Sequence, residues 1–475
     1  MISGPLLILV LPLAIAVVVS LLQRWPLLAM LVSIGTALLL GIAVIALPMD
    51  QSIVIFGGRQ VTMGETVSLL GRELVLEQTD RIAMAFLFFT ASGIFFLSWR
   101  FAPRTLIFPI GLGLLSLLCG ALLIRPLIYA ALLVEIAAAL SVFTLQVEGS
   151  TPTHGGLRYL TFTTLALPGL LITHWLLERY AVVPDETELL TGASILLTVS
   201  FALWLGVVPF HTWVPALADQ SQPLASAFVL TINNSVIWFL LFDFLETYPW
   251  LTGEPLFGPI ASISGLLMVT AGGLLAPAQT RLGPMTGYAA LVDGGAAMLA
   301  LGLETQLGLT LVFLSLLVRP FGLLLLTAGI SGLREHCDYS DDFDALQGLG
   351  AKAPWSTVAL AVGALSMAGL PVSAGFIGRW ALSRALMPDQ PGMALLILGA
   401  SAGVMIGAWR GLSSLAKGAI APRDCSILSP SRSEGWLTAT AVGVAAALCI
   451  GVGIYPRLIA TVAANLAEAY SFFIP

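Results

Sequence analysis

The chain has little charge. Asp, Glu, Lys and Arg make up 10% of its 475 residues, against roughly 25% in a soluble domain. So few charges cannot cover a water-facing surface while 58% of the side chains are hydrophobic. A soluble enzyme is excluded, and lipid is the solvent for most of the molecule. Lysine is rarer still, with only Lys352 and Lys417. The 20 basic and 26 acidic residues give a net charge of −6 with no basic block, which excludes a nucleic-acid partner. Cysteine and histidine are equally sparse. Cys119, Cys337, Cys425 and Cys449 lie far apart, and His154, His174, His211 and His336 have no second ligand nearby in sequence. No metal or cofactor is expected. The stretch from Met1 to Gln23 has neither a basic lead nor a small-residue cleavage site, so it reads as a first span rather than a signal peptide.

What is there is a succession of apolar runs. About fourteen of the roughly 20-residue length that a span needs follow one another, from Leu6–Leu22 to Trp436–Ile454, among them Leu190–Trp213, Leu224–Leu245 and Pro354–Leu386. The expected fold is an all-α polytopic membrane protein. Residues 1–104 read as N-terminal spans with a surface hairpin, 105–280 and 281–434 as two repeat-like halves, and 435–475 as a C-terminal span. The β-branched alternation around Gly57-Gly58 and Gly64, within Gln51 to Asp80, predicts the hairpin. Ser331 to Lys352 reads as an acidic, water-facing loop.

Arg24, Arg100 and Arg104 fall on one side of the early spans, and the acidic loop Glu178 to Glu188 falls on the other. The first side is therefore expected to be cytoplasmic. Carrying the crossings forward puts Arg410, Lys417, Arg423 and Arg432 on that same side, and both termini outside the cell membrane.

Two runs are interrupted, one by Pro209, Pro215 and Pro223, the other by Pro371 with Gly375 and Gly378. Matching breaks in two halves point to an ion pathway between inverted repeats, although Pro and Gly are also commoner in membrane helices generally. Five charges fall mid-span: Glu135, Asp243, Asp293, Arg319 and Arg379. Each costs at least about 2.5–3.5 kcal/mol at the bilayer centre and so needs a partner or a wet cavity. Glu135 reads either as a proton site or as half of an ion pair with an arginine from another span, and Asp293, beside Gly294-Gly295, reads the same way. Asp243 reads as interfacial. Arg319 and Arg379 cannot give up a proton, so they set the field. His211, in the break, reads as a relay or a hydrogen-bonded structural histidine.

These residues carry a resemblance. The run Val208-Pro209-Phe210-His211-Thr212-Trp213-Val214-Pro215, followed by Ser226-Ala227, resembles the PFHxWLP…SA signature of the antiporter-like membrane subunits shared by respiratory complex I, Mrp cation/proton antiporters and energy-converting hydrogenases. Glu135, Gly287-Tyr288, Leu365 to Pro371 with Gly375 to Gly378, and Gly453 to Pro456 match further pieces in the same order. The departures are as marked. The family's mid-membrane lysines fall at Ser235, beside Asn233 and Asn234, and at Arg379. Its histidine falls at Asp293, and Arg319 stands near a later lysine.

The resemblance implies a membrane subunit that moves protons or a small cation, with lipid and other membrane subunits as partners. It implies no redox site of its own, any driving chemistry lying in partner chains. The expected pathway uses Glu135, His211 and Asp293. Asn233, Asn234 and Ser235 would hold water between them, and Arg319 and Arg379 would fix the charge. The alternatives are a structural subunit that has lost the lysine relay and, more weakly, inorganic-carbon uptake with a soluble partner.

Overall fold

A computed structural model describes residues 2–49, 53–55, 59–69, 71–102, 106–146, 154–183, 186, 188–337, 340–417 and 434–473. Gly57-Gly58, Arg104, Arg423, Cys425 and Arg432 lie outside them.

Long apolar stretches with most of their hydrogen-bonding groups in the backbone can be stable in lipid only as helices, and helices dominate. They are α1 (Gly4–Leu21), α2 (Pro26–Ala46), α3 (Gln78–Phe101), α4 (Ile107–Leu123), α5 (Ile128–Leu145) and α6 (His154–Val182). Next come α7 (Glu188–Leu205), α8 (Trp213–Gln220), α9 (Pro223–Phe228), α10 (Asn234–Thr247), α11 (Phe257–Leu275) and α12 (Leu282–Leu301). The last are α13 (Gln306–Glu335), α14 (Pro354–Met367), α15 (Ala374–Leu386), α16 (Pro391–Ala416), α17 (Trp436–Ile454) and α18 (Arg457–Glu468). Among the described residues, eleven helical stretches are long and apolar enough to cross a membrane, and α4 and α14 are shorter apolar helices. Many hydroxyls inside them bond back to their own helix, as Thr231 does to the Ala227 carbonyl and Thr327 to that of Leu323, which satisfies those groups without water.

The centre of the bundle is the stretch α9–α10 together with α13, both almost wholly buried. With no hydrophobic force between helices in lipid, close packing comes from small residues. A Cβ on Gly265 of α11 would lie 2.6 Å from the Gly295 carbonyl of α12. A Cβ on Gly363 of α14 would collide with the backbone of Leu326 and Gly322 in α13.

The surface segment differs from the expected single hairpin. Two small sheets form, β1 (Ile2–Ser3), β2 (Ile53–Ile55) and β3 (Arg59–Thr62) in one, and β4 (Val67–Leu69), β5 (Arg72–Leu74) and β6 (Ile124–Arg125) in the other. β2 and β3 pair antiparallel, with Ile53 opposite Val61. Gly64 instead joins the two sheets, its amide bonded to the Met49 carbonyl. The remote strands β1 and β6 bond the edges of the hairpins, which no local pattern encodes.

These sheets mark one end of the bundle. The Asp243 side chain accepts from Tyr470 there, and Glu246 holds Ser471. The other end, called the arginine end, is tied together by arginines: Arg100 bonds Thr438, Arg334 reaches the Asp219 carbonyl and Arg410 that of Pro277. Strand β1 lies in the first sheet and Tyr470 contacts Asp243, so both chain ends meet the sheet end.

Both expected breaks are present. Helix α7 runs in from the sheet end and stops at Gly206, whose φ of 68° favours glycine. A 3₁₀ turn at Phe210–Thr212 then leads into α8. Helix α14 comes from the arginine end and stops at Gly369, with φ 69°, before α15 resumes toward the sheet end. Pro209 and Pro371 lie in the breaks themselves. Pro215 instead sits in the first turn of α8, Pro223 opens α9, and Gly375 and Gly378 are inside α15. The correction has a physical cause, since Pro fits the first helical turn, where its missing N–H is not needed, and a Cβ on Gly375 would strike the Ser366 carbonyl.

Gly363→Val is expected to destabilise the protein by roughly 1–3 kcal/mol or more, because only backbone surrounds it. Gly399→Val, with nothing within 4 Å, is expected to be neutral. Thermal unfolding of the two variants in detergent checks the contrast.

Candidate ion pathway

Three of the mid-span charges converge. The Arg319 Nε of α13 donates to Asp293 Oδ2 of α12 at 2.7 Å, and the Arg379 Nη2 of α15 lies 3.7 Å from Asp293 Oδ1. The side chains of Arg319, Arg379 and Asp293 are 4%, 5% and 14% exposed, so the cluster is buried and carries one more positive charge than negative. The partners that lipid demands of two guanidinium groups are thus one shared carboxylate and a set of backbone oxygens.

Two of those oxygens come from irregular backbone. A π-helical turn at Val229–Asn233 separates α9 from α10, a feature frequent at functional sites. Here the Leu230 carbonyl accepts from Arg319 Nη1 at 3.4 Å. Arg319 also bonds the side-chain oxygen of Asn234 and the carbonyl of Ala290. At the second break the last carbonyl of α14, Met367, accepts from Arg379 Nη2 at 3.0 Å, while Nη1 donates to Ser401 at 2.8 Å. A Cβ on Gly369 would lie 2.7 Å from Arg379 Cγ, so glycine is required there for the approach as well as for φ.

Asn233 turns the other way and donates to Tyr159 of α6 at 3.1 Å. Ser235 is buried, and its hydroxyl has no partner among the described residues. Tyr159 packs on Trp213, the first residue of α8, with ring centroids 5.2 Å apart. Trp213, Val214, Asn234 and Arg319 share the wall of an enclosed void of about 20 Å³, room for about one water. Trp213 is 2% exposed, and its Nε1 has no partner among the described residues.

Glu135 and His211 stay apart from the cluster. Glu135 of α5 accepts from Thr164 of α6 at 2.5 Å, its other oxygen is buried without a partner, and it forms no ion pair among the described residues. Of its two readings, the pairing with an arginine is therefore not seen. His211 is half-buried in the 3₁₀ turn, its Nδ1 buried without a partner among the described residues. Asp243 lies near the end of α10 at the sheet end and is 8% exposed, beneath the C-terminal segment.

The acidic loop also departs from expectation. Asp341 is fully buried, held by Arg334 at 2.8 Å and Arg281 at 3.1 Å, and accepts the Gly283 amide at the start of α12. An anion at a helix N-terminus is favoured by the free N–H groups and the helix dipole. Sequence reasoning missed this group, as it missed Tyr159 and Ser401, because each acts through a partner remote in the chain.

Arginine keeps its proton, so Asp293 is the one member of the cluster able to change charge. Neutralising it leaves two buried guanidinium groups without an anion. Asp293→Ala is expected to cost about 3–5 kcal/mol, read as a lower melting temperature. Adding Arg379→Gln is expected to recover part of that loss.

The comparisons with known proteins agree with this architecture. A transmembrane family model described as NADH:quinone oxidoreductase/Mrp antiporter matches residues 102–405. NADH-quinone oxidoreductase subunit N of Methylococcus capsulatus is 23% identical over 347 residues, covering 68% of this chain and 67% of its own length. For the first four relatives the chain spans between 36% and 67% of their length. A chain of the Mrp complex from Dietzia sp. DQ12-45-1b superposes with a TM-score of 0.78 at 17% identity, covering 98% of this chain and 96% of that one. A chain of respiratory complex I from Thermus thermophilus with bound NADH gives 0.73 at 21% identity, covering 98% and 100%. By the match over residues 102–405, this chain belongs to the NADH:quinone oxidoreductase/Mrp antiporter transmembrane family.

Proposed function

We propose that the chain is a membrane subunit of a hetero-oligomeric assembly of the complex I or Mrp kind, and that it moves protons or another small cation across the cell membrane. The observation that carries this reading is the convergence of two oppositely running broken spans on one buried charge cluster. The second break supplies Arg379 directly, and the first supplies Trp213 and the water-sized void beside Arg319 and Asn234. Broken helices at matching positions are the architecture of transporters built from inverted repeats. Counting α7–α8, α9–α10 and α14–α15 as single spans gives about fourteen crossings of suitable length. Each break then falls in the fourth span of a five-span unit, the first opening at α4 and the second at α11, so the halves divide before α11 rather than at 280. Lys352 and Lys417 both lie at the end opposite the termini, which supports an outer position for the termini.

In this reading Glu135 is a titrating carboxylate, His211 a relay beside the first break, and Asp293 the switch. Arg319 and Arg379 set its field, and Asn233, Asn234 and Ser235 provide polar lining. Driving chemistry belongs to partner chains. A second reading, a structural subunit that does not conduct, is favoured by one observation: both lysines lie outside the helices, and the residues in the cluster are arginines that cannot release protons.

Glu135→Gln keeps the shape and removes the charge. In proteoliposomes holding the whole complex and a pH-sensitive dye, translocation is expected to fall to background while the complex still assembles. Unchanged translocation favours the structural reading.

A further inference from the structure

At the arginine end a cavity of about 300 Å³ opens between α6, α8 and the start of α12, lined by Arg158, Thr212, Ala216, Asp219, Gln279 and Tyr288. It has room for several waters and polar groups to hold them. One wall is α8. The first turn of that helix, Trp213 and Val214, borders the enclosed void at Arg319 and Asn234, so a single short helix separates the cavity from the buried charges. Trp213 Nε1 and His211 Nδ1, both at this break, are buried and have no hydrogen-bond partner among the described residues.

The carboxylate in this wall is held differently from its neighbours. Asp219 Oδ1 meets Arg281 Nη1 at 2.7 Å, and Arg281 also contacts Asp341 at 3.1 Å and Asp342 at 3.2 Å. Asp341 is anchored a second and third time, by Arg334 and by the Gly283 amide. The backbone of Asp219 is clamped as well, since Arg334 Nη2 takes its carbonyl at 2.8 Å and Nη1 takes that of Ser221 at 3.0 Å. Among the described residues the Asp219 side chain has Arg281 alone as an ion-pair partner, and Arg281 is 39% exposed. If Asp219 lets go, Arg281 keeps two other carboxylates, so the exchange leaves no guanidinium unpaired. The remaining charge on the cavity wall is Arg158 of α6.

We propose that this cavity is the aqueous mouth of the ion pathway and that Asp219 is its binding carboxylate, exchanging Arg281 for the incoming proton or small monovalent cation. The proposal rests on the translocation reading above and adds a site to it.

The test uses the whole complex in sealed vesicles, with Cys119, Cys337, Cys425 and Cys449 replaced. Ala216→Cys, and independently Thr212→Cys, are exposed to a membrane-impermeant maleimide from each side, with Ala290→Cys as the buried control. Labelling of the two cavity positions from the arginine end alone is expected. Asp219→Asn removes one charge-assisted contact, worth about a tenfold loss in binding, so translocation at subsaturating cation is expected to slow about tenfold, with Asp219→Glu recovering most of it. Failure of both cavity cysteines to label, or labelling only from the sheet end, overturns the mouth. Full translocation in Asp219→Asn overturns the binding role. Labelled cysteines in vesicles whose unmutated complex moves no cation overturn the translocation reading and the role of Asp219 with it, while the water-filled cavity remains.

Discussion

The contact of one carboxylate with two guanidinium groups, deep inside a bundle whose solvent is lipid, is the interaction on which the rest of the structure depends. Asp293 lies 2.7 Å from Arg319 and 3.7 Å from Arg379. Charges in such a place persist only when each is paired and its remaining donors are used. That requirement brings α12, α13 and α15 together at one depth, and it explains why the helices that carry these residues are packed through glycines. A wider separation would leave the side chains short of one another.

The same requirement accounts for the irregular backbone. A carbonyl freed from a helix cannot be left facing hydrocarbon, yet a buried arginine has five donors to satisfy. The molecule meets both needs with one contact each time: Met367 at the end of α14 serves Arg379, and Leu230 in the π turn serves Arg319. Irregular backbone and buried charge therefore meet at both arginines.

A second charged group at the arginine end is built on different terms. Arg281, Arg334, Asp219, Asp341 and Asp342 tie the end of α8 to the starts of α12 and of the segment that follows α13. It borders an open cavity and therefore sits where water can reach. Between the two groups lies α8, so the short helix left by the first break is the element through which the wet end and the dry centre touch.

Much of this was legible in the chain itself. The scarcity of charge required a lipid-embedded fold, and unbroken apolar runs of about 20 residues required helices, because barrel strands are shorter and alternate apolar with polar. Pro209 and Pro371 marked both breaks, since proline and its preceding residue resist helix, and the isolated charges Glu135, Asp293, Arg319 and Arg379 marked themselves by their cost. Pairing was not legible. Asp293 and Arg319 are 26 positions apart and Asn234 and Arg319 are 85, and nothing local says that Glu135 meets Thr164 rather than an arginine, that Asp341 is buried rather than solvated, or that β1 and β6 complete the two sheets. Composition and periodicity decide which segments leave water, because those are sums over neighbours in the chain. Which charge neutralises which is decided by how helices cross, and that distance exists only once the tertiary structure has formed.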